Sequence, residues 1–184
     1  MHRICGRLVG GTLTAVLSCT PADVATQSDA AVATQTLLMA PDSRVRGATQ
    51  RIVSVLMDGA ARSDTFRGLI ATIGATDGRV YIAEGRCSQR VRACFLHTVT
   101  ITGAHRLLRI VVDPHYPDEE LISSVGHELQ HVVEVLSNRS LRSAAAIRLF
   151  YRDLCRLCLG WQDTEAARRA GDAVRNELAE EQRD

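Results

Sequence analysis

The sequence of 184 residues contains no lysine, and all 22 of its basic residues are arginines. Together with the abundant alanine and glycine, this composition is typical of a GC-rich genome. The arginines are scattered and the formal net charge is only +1, so no basic stripe indicates a polyanionic partner. We therefore expect no nucleic acid among the partners.

A long apolar run is also missing. No stretch of the chain reaches the roughly 18 to 20 apolar residues that a transmembrane helix needs. The length indicates one domain and a leader, which is enough to bury a hydrophobic core.

The N-terminus has the features of an export signal. Arg3 and Arg7 give a positive start, residues 8–17 are mostly apolar, and the small Ser18 stands before Cys19. Residues 16–19 (VLSC) resemble the cleavage box of bacterial lipoproteins, in which the cysteine becomes the lipidated first residue. We expect an exported protein that is periplasmic, secreted, or attached to a membrane through a lipidated Cys19.

The domain boundaries follow from this signal. Residues 1–19 are predicted to be the signal peptide. Residues 20–45 are small and polar, which predicts a flexible tether. The remaining residues, 46–184, are predicted to form the folded domain.

Four cysteines lie outside the leader. An even number of cysteines in an oxidising compartment predicts two disulfides, and proximity favours Cys87 with Cys94 and Cys155 with Cys158. A four-cysteine zinc site is the rival interpretation. It is weaker because only one of the two pairs has the two-residue spacing that is usual in both halves of such sites.

Apolar periodicity predicts helices, then strands, then helices. Ser63 is a candidate cap for the second helix, Asp118 is a candidate N-cap for the third, and residues 103–104 are predicted to turn a hairpin. The predicted helices cover residues 47–61, 63–74, 118–138, 140–158 and 163–181, and the predicted strands cover 79–83, 97–102 and 106–112. The predicted fold class is α+β, with a small mixed or antiparallel sheet packed on the third helix and a helical C-terminal half.

The third predicted helix contains the sequence HELQH, from His127 to His131. Histidines four residues apart on a helix lie on one face, so both imidazoles can reach one metal ion. Glu128 between them can hold the water that a bound metal polarises, which makes it the candidate catalytic residue. Gly126 is unfavourable inside a helix, so we expect another backbone to approach closely there.

The surroundings of the two histidines matter because the motif alone is a weak signal. An apolar stripe on the same helix predicts its buried face. That stripe consists of Leu121, Ile122, Val125, Leu129, Val132, Val133 and Leu136. His127 and His131 lie off this stripe, on a face that either lines a metal cleft or is simply solvated.

The sequence from Leu121 to Val135 resembles the zincin metallopeptidases, and in particular small bacterial proteins with a GHELQH helix followed by an acidic residue in a later helix. The resemblance covers roughly residues 79–181. It implies a small mixed sheet over the motif helix, an edge strand that holds an extended peptide substrate, a bound Zn²⁺ and peptidase-like chemistry.

A catalytic zinc usually has three protein ligands, so a third is needed. Glu134 lies about 10 Å along the helix axis from His127, so it is expected to contact a histidine instead of the ion. A gluzincin-like arrangement leaves Asp163 or Glu165 downstream. Helical phase directs Asp163 towards the core and Glu165 towards water, so Asp163 is the predicted ligand, although it is also a candidate helix cap.

Other polar side chains give weaker signals. Tyr151 could stabilise an oxyanion, but a half-buried packing role is the more common one. His97, His105 and His115 lack ligand spacing and are expected at the surface or in turns. Asp113 and His115 could line the mouth of the cleft.

Three functions remain open from the sequence. The first is a zinc peptidase that acts on a peptide or protein through Glu128. The second is a zinc hydrolase of a non-peptide or cell-wall substrate. The third is an exported metal-binding or scaffold protein without catalytic activity.

Overall fold

The computed structural model describes residues 32–34, 36, 38, 40, 42–87, 91–154, 163–181 and 183. The expected signal peptide with Cys19, and also Cys155 and Cys158, lie outside the described residues. The strands are β1 (Val45–Gly47), β2 (Gly78–Glu84), β3 (Ala93–Thr102) and β4 (His105–Val112). The helices are α1 (Gln50–Arg62), α2 (Asp64–Gly74), α3 (Asp118–Ser137), α4 (Ala144–Leu154) and α5 (Glu165–Glu181). The predicted α+β class is confirmed.

The strands form one mixed sheet in the order β1-β2-β4-β3. Strand β2 pairs in parallel with β1 and β4, and β3 pairs antiparallel with β4, so β3 is an edge strand. The predicted β3–β4 hairpin is confirmed. Gly103 turns it with a φ of 58°, in the left-handed region that glycine adopts at little cost.

Strand β1 was not predicted. The sequence placed residue 47 at the start of a helix, but Gly47 ends β1 and α1 begins at Gln50, where the side chain of Thr49 caps it. A strand of three residues is too short to show a period of two. Ser43 and Val45 are buried and Leu38 packs against the core, so the packed part of the chain includes residues of the segment that was predicted to be a tether.

The core lies between the helices and one face of the sheet. Alternate side chains of β2 and β4 point into it, and Val80, Ile82, Leu108 and Ile110 are fully buried. Arg109, on the opposite face of β4, is exposed. This alternation is what a sheet covered on one side requires.

Helix α3 lies at the centre, in contact with β3, β4 and the helices α1, α2 and α5. The predicted apolar stripe is buried except for Val133, which is partly buried. Val135 and His131 are also buried, although both lie off that stripe. The helix is therefore covered on more sides than a single stripe predicts.

The ends of α3 differ from the prediction at one point. The helix begins directly after Pro117 and no side chain caps it, so Asp118 is its first residue and not the predicted N-cap. Asp118, Glu119 and Glu120 still lie in the first turn, where the helix dipole favours negative charge.

Arg106 of β4 holds the C-terminal end of α3. Its guanidinium is fully buried and donates hydrogen bonds to the carbonyls of Val135 (3.0 Å), Leu136 (2.8 Å) and Asn138 (2.8 Å). The carboxylate of Asp77 balances the charge at 2.7 Å. The sheet is thereby fastened to the helix that carries both histidines.

Side-chain caps set the starts of the other helices. The predicted cap on α2 is confirmed, since Ser63 accepts from the N–H of Phe66 at 3.0 Å. Helix α4 begins at Ala144 and not at residue 140, because Ser143 caps it. Helix α5 begins at Glu165, since Thr164 accepts from the N–H of Ala167 at 3.1 Å.

The disulfide between Cys87 and Cys94 is confirmed. It joins the segment after β2 to the edge strand β3. Because two of the four sulfurs are oxidised, the rival four-cysteine zinc site is wrong. The pairing of Cys155 with Cys158 lies outside the described residues and stays a prediction. Among the described helices, none has the length and apolar character needed to cross a bilayer.

Candidate metal centre

His127 and His131 lie one turn apart on α3, with their rings edge to face and the ring centroids 5.0 Å apart. The side chain of His127 is 25% exposed, whereas that of His131 is only 6% exposed. Burial, and then the nearby charge of His131, lowers the pKa of His127. A lowered pKa favours the neutral imidazole, which is the form that binds metals.

Glu134 contacts His131, as predicted for an outer partner. Its Oε2 lies 3.0 Å from Nδ1 of His131, and its Oε1 accepts from the hydroxyl of Thr164 at 2.5 Å. Burial alone would raise the pKa of Glu134, but these hydrogen bonds outweigh it and lower that pKa. Because Nδ1 of His131 is engaged, Nε2 is the nitrogen left to bind a metal.

Tyr151 has a different role from either one predicted. Its side chain is fully buried, not half-buried, and its hydroxyl donates to the backbone carbonyl of His131 at 2.9 Å. The same hydroxyl also helps to lower the pKa of the Glu134 carboxyl. Tyr151 of α4 thus stabilises the position of α3 through its hydrogen bond to His131. Its hydroxyl does not face the cleft, as the hydroxyl of an oxyanion donor would.

Asp163 lies beside His127, with its Oδ1 at 3.3 Å from Nε2 of the histidine. Tetrahedral zinc with bonds of about 2.0–2.1 Å separates neighbouring ligand atoms by roughly 3.3 Å. Ligand atoms of His127, His131 and Asp163 all lie within 4.8 Å of one another. Two imidazoles and one carboxylate are a donor set that zinc accepts, so these residues fit the ion after a small contraction.

Of Asp163 and Glu165, only Asp163 lies beside the histidines, but its predicted direction towards the core was wrong, because its side chain is 41% exposed. Asp163 precedes α5 and does not lie on its apolar face, and Thr164, not Asp163, is the helix cap. Glu165 points to solvent with its side chain 61% exposed and pairs with Arg168 at 2.5 Å. Only Asp163 therefore reaches the two histidines.

Glu128 is the partly buried acid of the site. Its Oε2 accepts a hydrogen bond from the N–H of Phe95 on β3 at 2.7 Å. Burial raises the pKa of Glu128 to about 7, although the charge of His131 and the bond from Phe95 act in the opposite direction. A carboxyl with this pKa can both accept and donate a proton near neutral pH.

The candidate site opens into a cleft of about 780 Å³. Residues 91–97, at the start of β3 and just before it, form one wall, and Asp163 with α5 as far as Arg175 forms the other. The floor is α3, with Ser123, Ser124, His127, Glu128 and His131. A groove of this size, bordered by a strand edge, has room for a short extended chain.

Two glycines allow α3 and α5 to pack closely. A Cβ at Gly126 would come within 2.9 Å of the side chain of Val174, and a Cβ at Gly171 would come within 3.2 Å of the Cβ of His127. The close neighbour of Gly126 is thus a side chain, so the expected approach of a backbone was wrong. The reason for the glycine, close packing, is the same.

The remaining histidines differ in position. His97 is half-buried on β3 and lines the cleft, where its ring centroid lies 4.9 Å from that of Tyr151, so its expected surface position was wrong. No pattern in the sequence indicated this contact, which joins β3 to α4. His105 begins β4 and bonds to Arg44. His115 is exposed, as expected.

Asp113 and His115 bond to each other at 2.7 Å. Neither is among the residues that line the cleft, so their expected place at its mouth was wrong.

The chain was also compared with family models, with curated proteins and with solved structures, and it matches none of them.

Proposed function

We propose that the chain is an exported zinc-dependent hydrolase that cleaves peptide bonds. The observation that carries the proposal is the convergence of His127, His131 and Asp163 beside the partly buried Glu128. The resemblance of the HELQH helix to zincins gives the reaction class. The disulfide Cys87–Cys94 supports export, because such bonds persist in oxidising compartments.

Each residue of the site has a distinct role in the proposed reaction. His127, His131 and Asp163 would hold the zinc, and Glu134 and Thr164 would orient His131. When bound, zinc supplies Lewis-acid polarisation of a water molecule and of the substrate carbonyl. Glu128 takes a proton from the attacking water and passes it to the leaving amine, which its pKa near neutrality permits.

The edge strand β3 supports a peptide as the substrate. The N–H of Asp113 donates to the backbone carbonyl of Arg92, so the backbone carbonyl of Arg92 points towards the β4 side of the strand. Backbone groups of successive residues alternate in an antiparallel pair, so those of Ala93 and Phe95 face the free edge, before the register shifts after Leu96. Phe95 directs its N–H to Glu128 on that side. An extended chain can pair with the remaining groups of this edge, above the metal site.

The first test is the metal content of the mature chain, made by an oxidising export route. We expect about one zinc per chain, and loss of that zinc in His127→Ala and His131→Ala. A wild-type preparation without bound metal, whose stability does not change when zinc is added, would remove the hydrolase proposal.

The second test is catalytic. Glu128→Gln keeps size and hydrogen bonding but removes the basic carboxylate, so it should retain zinc and lose about 10²- to 10⁴-fold in turnover. Peptide and unfolded-protein libraries serve as substrates, with cell-wall peptides and esters as a separate arm. If zinc binds but no substrate is cleaved, a metal-binding or scaffold role becomes the better account.

A further inference from the structure

One end of the cleft has an arginine on each wall. Arg92 precedes β3, and Arg175 lies on α5. Arg92 belongs to the end of the cleft where α3 begins, because its Nε pairs with Oε2 of Glu120 at 2.5 Å.

Helix α5 runs antiparallel to α3. Thr164, before the first turn of α5, bonds to Glu134 in the second half of α3. Arg62 pairs with both Glu119 and Glu181, which joins the start of α3 to the end of α5. Residues later in α5 therefore lie nearer to the start of α3.

This direction places Arg175 at the same end as Arg92. Gly171 lies against His127 and the carbonyl of Ser123. Arg175 is one turn further along α5, so it is displaced from the metal site towards the start of α3. The two arginines, called here the arginine subsite, border the cleft about one turn before His127.

Both guanidinium groups keep donors for a ligand. Arg92 uses Nε for Glu120 and lies over the ring of Tyr116. Arg175 uses Nη1 for Asp172 at 2.7 Å. In the described part of the chain, the other nitrogens of Arg92 and Arg175 make no further hydrogen bond or ion pair. A second carboxylate can therefore bind at nitrogens that the present ion pairs do not use.

The strand direction decides which end of a bound peptide meets this subsite. Arg92 contacts Glu120 and Phe95 contacts Glu128, so β3 and α3 run the same way. A peptide that pairs antiparallel with β3 then has its C-terminal side towards Arg92. Three strand residues from Phe95 to Arg92 span about 10 Å, which an extended peptide covers with about three residues.

We propose that the arginine subsite selects substrates with a carboxylate two to three residues on the C-terminal side of the cleaved bond. The inference rests on the proposed peptidase function and names its substrate class. The carboxylate belongs either to an acidic side chain or to the free C-terminus of a short peptide. Charge-assisted hydrogen bonds from guanidinium to carboxylate supply the selectivity.

The test compares matched peptides on zinc-loaded protein. Each peptide cleaved in the library is remade with Gln or Glu at the second and third positions after the cleaved bond. Each is also shortened to end there as a carboxylate or as an amide. We expect kcat/KM to be about 10- to 100-fold higher for the carboxylate forms. Arg92→Gln and Arg175→Gln should bring this ratio close to one. The control Arg148→Gln, at an exposed position of α4 outside the cleft, should leave the ratio unchanged.

A binding measurement separates this inference from the peptidase proposal. Zinc-loaded Glu128→Gln is titrated with fluorescein-labelled hexa-alanine ending in a carboxylate, with its amide, and with the amide carrying Glu at position five. Tighter binding of the carboxylate forms without cleavage by wild type would leave the subsite standing and overturn the peptidase. If kcat/KM and binding affinity are the same for peptides with and without the carboxylate, the arginine subsite alone is overturned. Absence of both cleavage and binding would overturn both.

Discussion

The hydroxyl of Thr164 donates a hydrogen bond to Oε1 of Glu134 at 2.5 Å. The other carboxylate oxygen of Glu134 bonds to Nδ1 of His131, and the backbone neighbour of Thr164 is Asp163. One hydroxyl thus ties the segment that carries the candidate third ligand to the helix that carries the other two. The same hydroxyl oxygen caps α5 by accepting from the N–H of Ala167.

Thr164→Val keeps the shape of the side chain and removes this hydroxyl. We expect zinc affinity to fall by about 10- to 100-fold, as for other partners that orient ligands from outside the coordination sphere. Thr164→Ser should restore most of the affinity. Zinc competition with a chromogenic chelator measures both variants.

Loss of a helix cap is the competing explanation, and it costs about 1 kcal/mol. Ser143→Ala removes the equivalent cap on α4 and serves as the control, because Ser143 has no hydrogen bond to the site. If Ser143→Ala weakens zinc binding as much as Thr164→Val, the orienting role of Thr164 is wrong.

The third ligand can be tested by a matched pair of neighbours. Asp163→Ala should reduce zinc affinity by more than the 10- to 100-fold loss of an outer partner, because its carboxylate faces His127 at 3.3 Å. Glu165→Ala should have little effect, since its side chain is 61% exposed. Asp163→Glu should keep zinc, because it retains a carboxylate that can act as a ligand. Equal losses in the two alanine variants would contradict the assignment.

Local patterns predicted much of this arrangement. The helical period of apolar residues predicted α3, and the alternation of residues in two neighbouring segments predicted the β3–β4 hairpin. Ser63 predicted the start of α2. The distance along one helix was enough to assign Glu134 to a histidine. Each of these depends on residues close together in the chain, where backbone geometry fixes relative positions before any tertiary packing is known.

The contacts that the sequence did not predict join distant elements. Arg106 was one of many scattered arginines, and only the packing of β4 against the end of α3 makes it a buried clamp. The positions of His97 and Tyr151 depend on how β3 and α4 meet. The burial of Glu128, which sets its pKa, depends on the same sheet through Phe95. Periodic patterns in the sequence do not specify contacts between elements that are distant in the chain.

The raised pKa of Glu128 predicts how the stability of the metal-free protein depends on pH. In the folded state this pKa is about 7, compared with an ordinary value of 4.5. Such a carboxyl favours folding while it is protonated, and this contribution is lost as the pH rises from about 4.5 through 7. Relative to Glu128→Gln, the wild type should lose at most about 3 kcal/mol of unfolding free energy over this range.

Urea denaturation at several pH values, in the presence of a chelator, measures this difference. The lowered pKa of Glu134 has the opposite sign, but it is common to both proteins and cancels. Glu165→Gln, at an exposed carboxylate, is the control and should follow the wild type. If the unfolding free energies of the wild type and Glu128→Gln change in parallel with pH, burial does not raise the pKa of Glu128.

The last prediction concerns the disulfide beside the site. Cys87 and Cys94 are seven residues apart, and Cys94 directly precedes the residue whose N–H binds Glu128. Loss of so short a covalent loop should reduce the free energy of unfolding by about 2–3 kcal/mol. The double variant Cys87→Ser, Cys94→Ser should therefore fold but unfold at lower urea concentration, with weaker positioning of β3 over Glu128. Thiol titration of the denatured wild type should find no free thiol at these two cysteines, nor at Cys155 and Cys158 if their predicted pairing is right. Four free thiols in protein made by an oxidising route would contradict both the disulfide framework and the expected export.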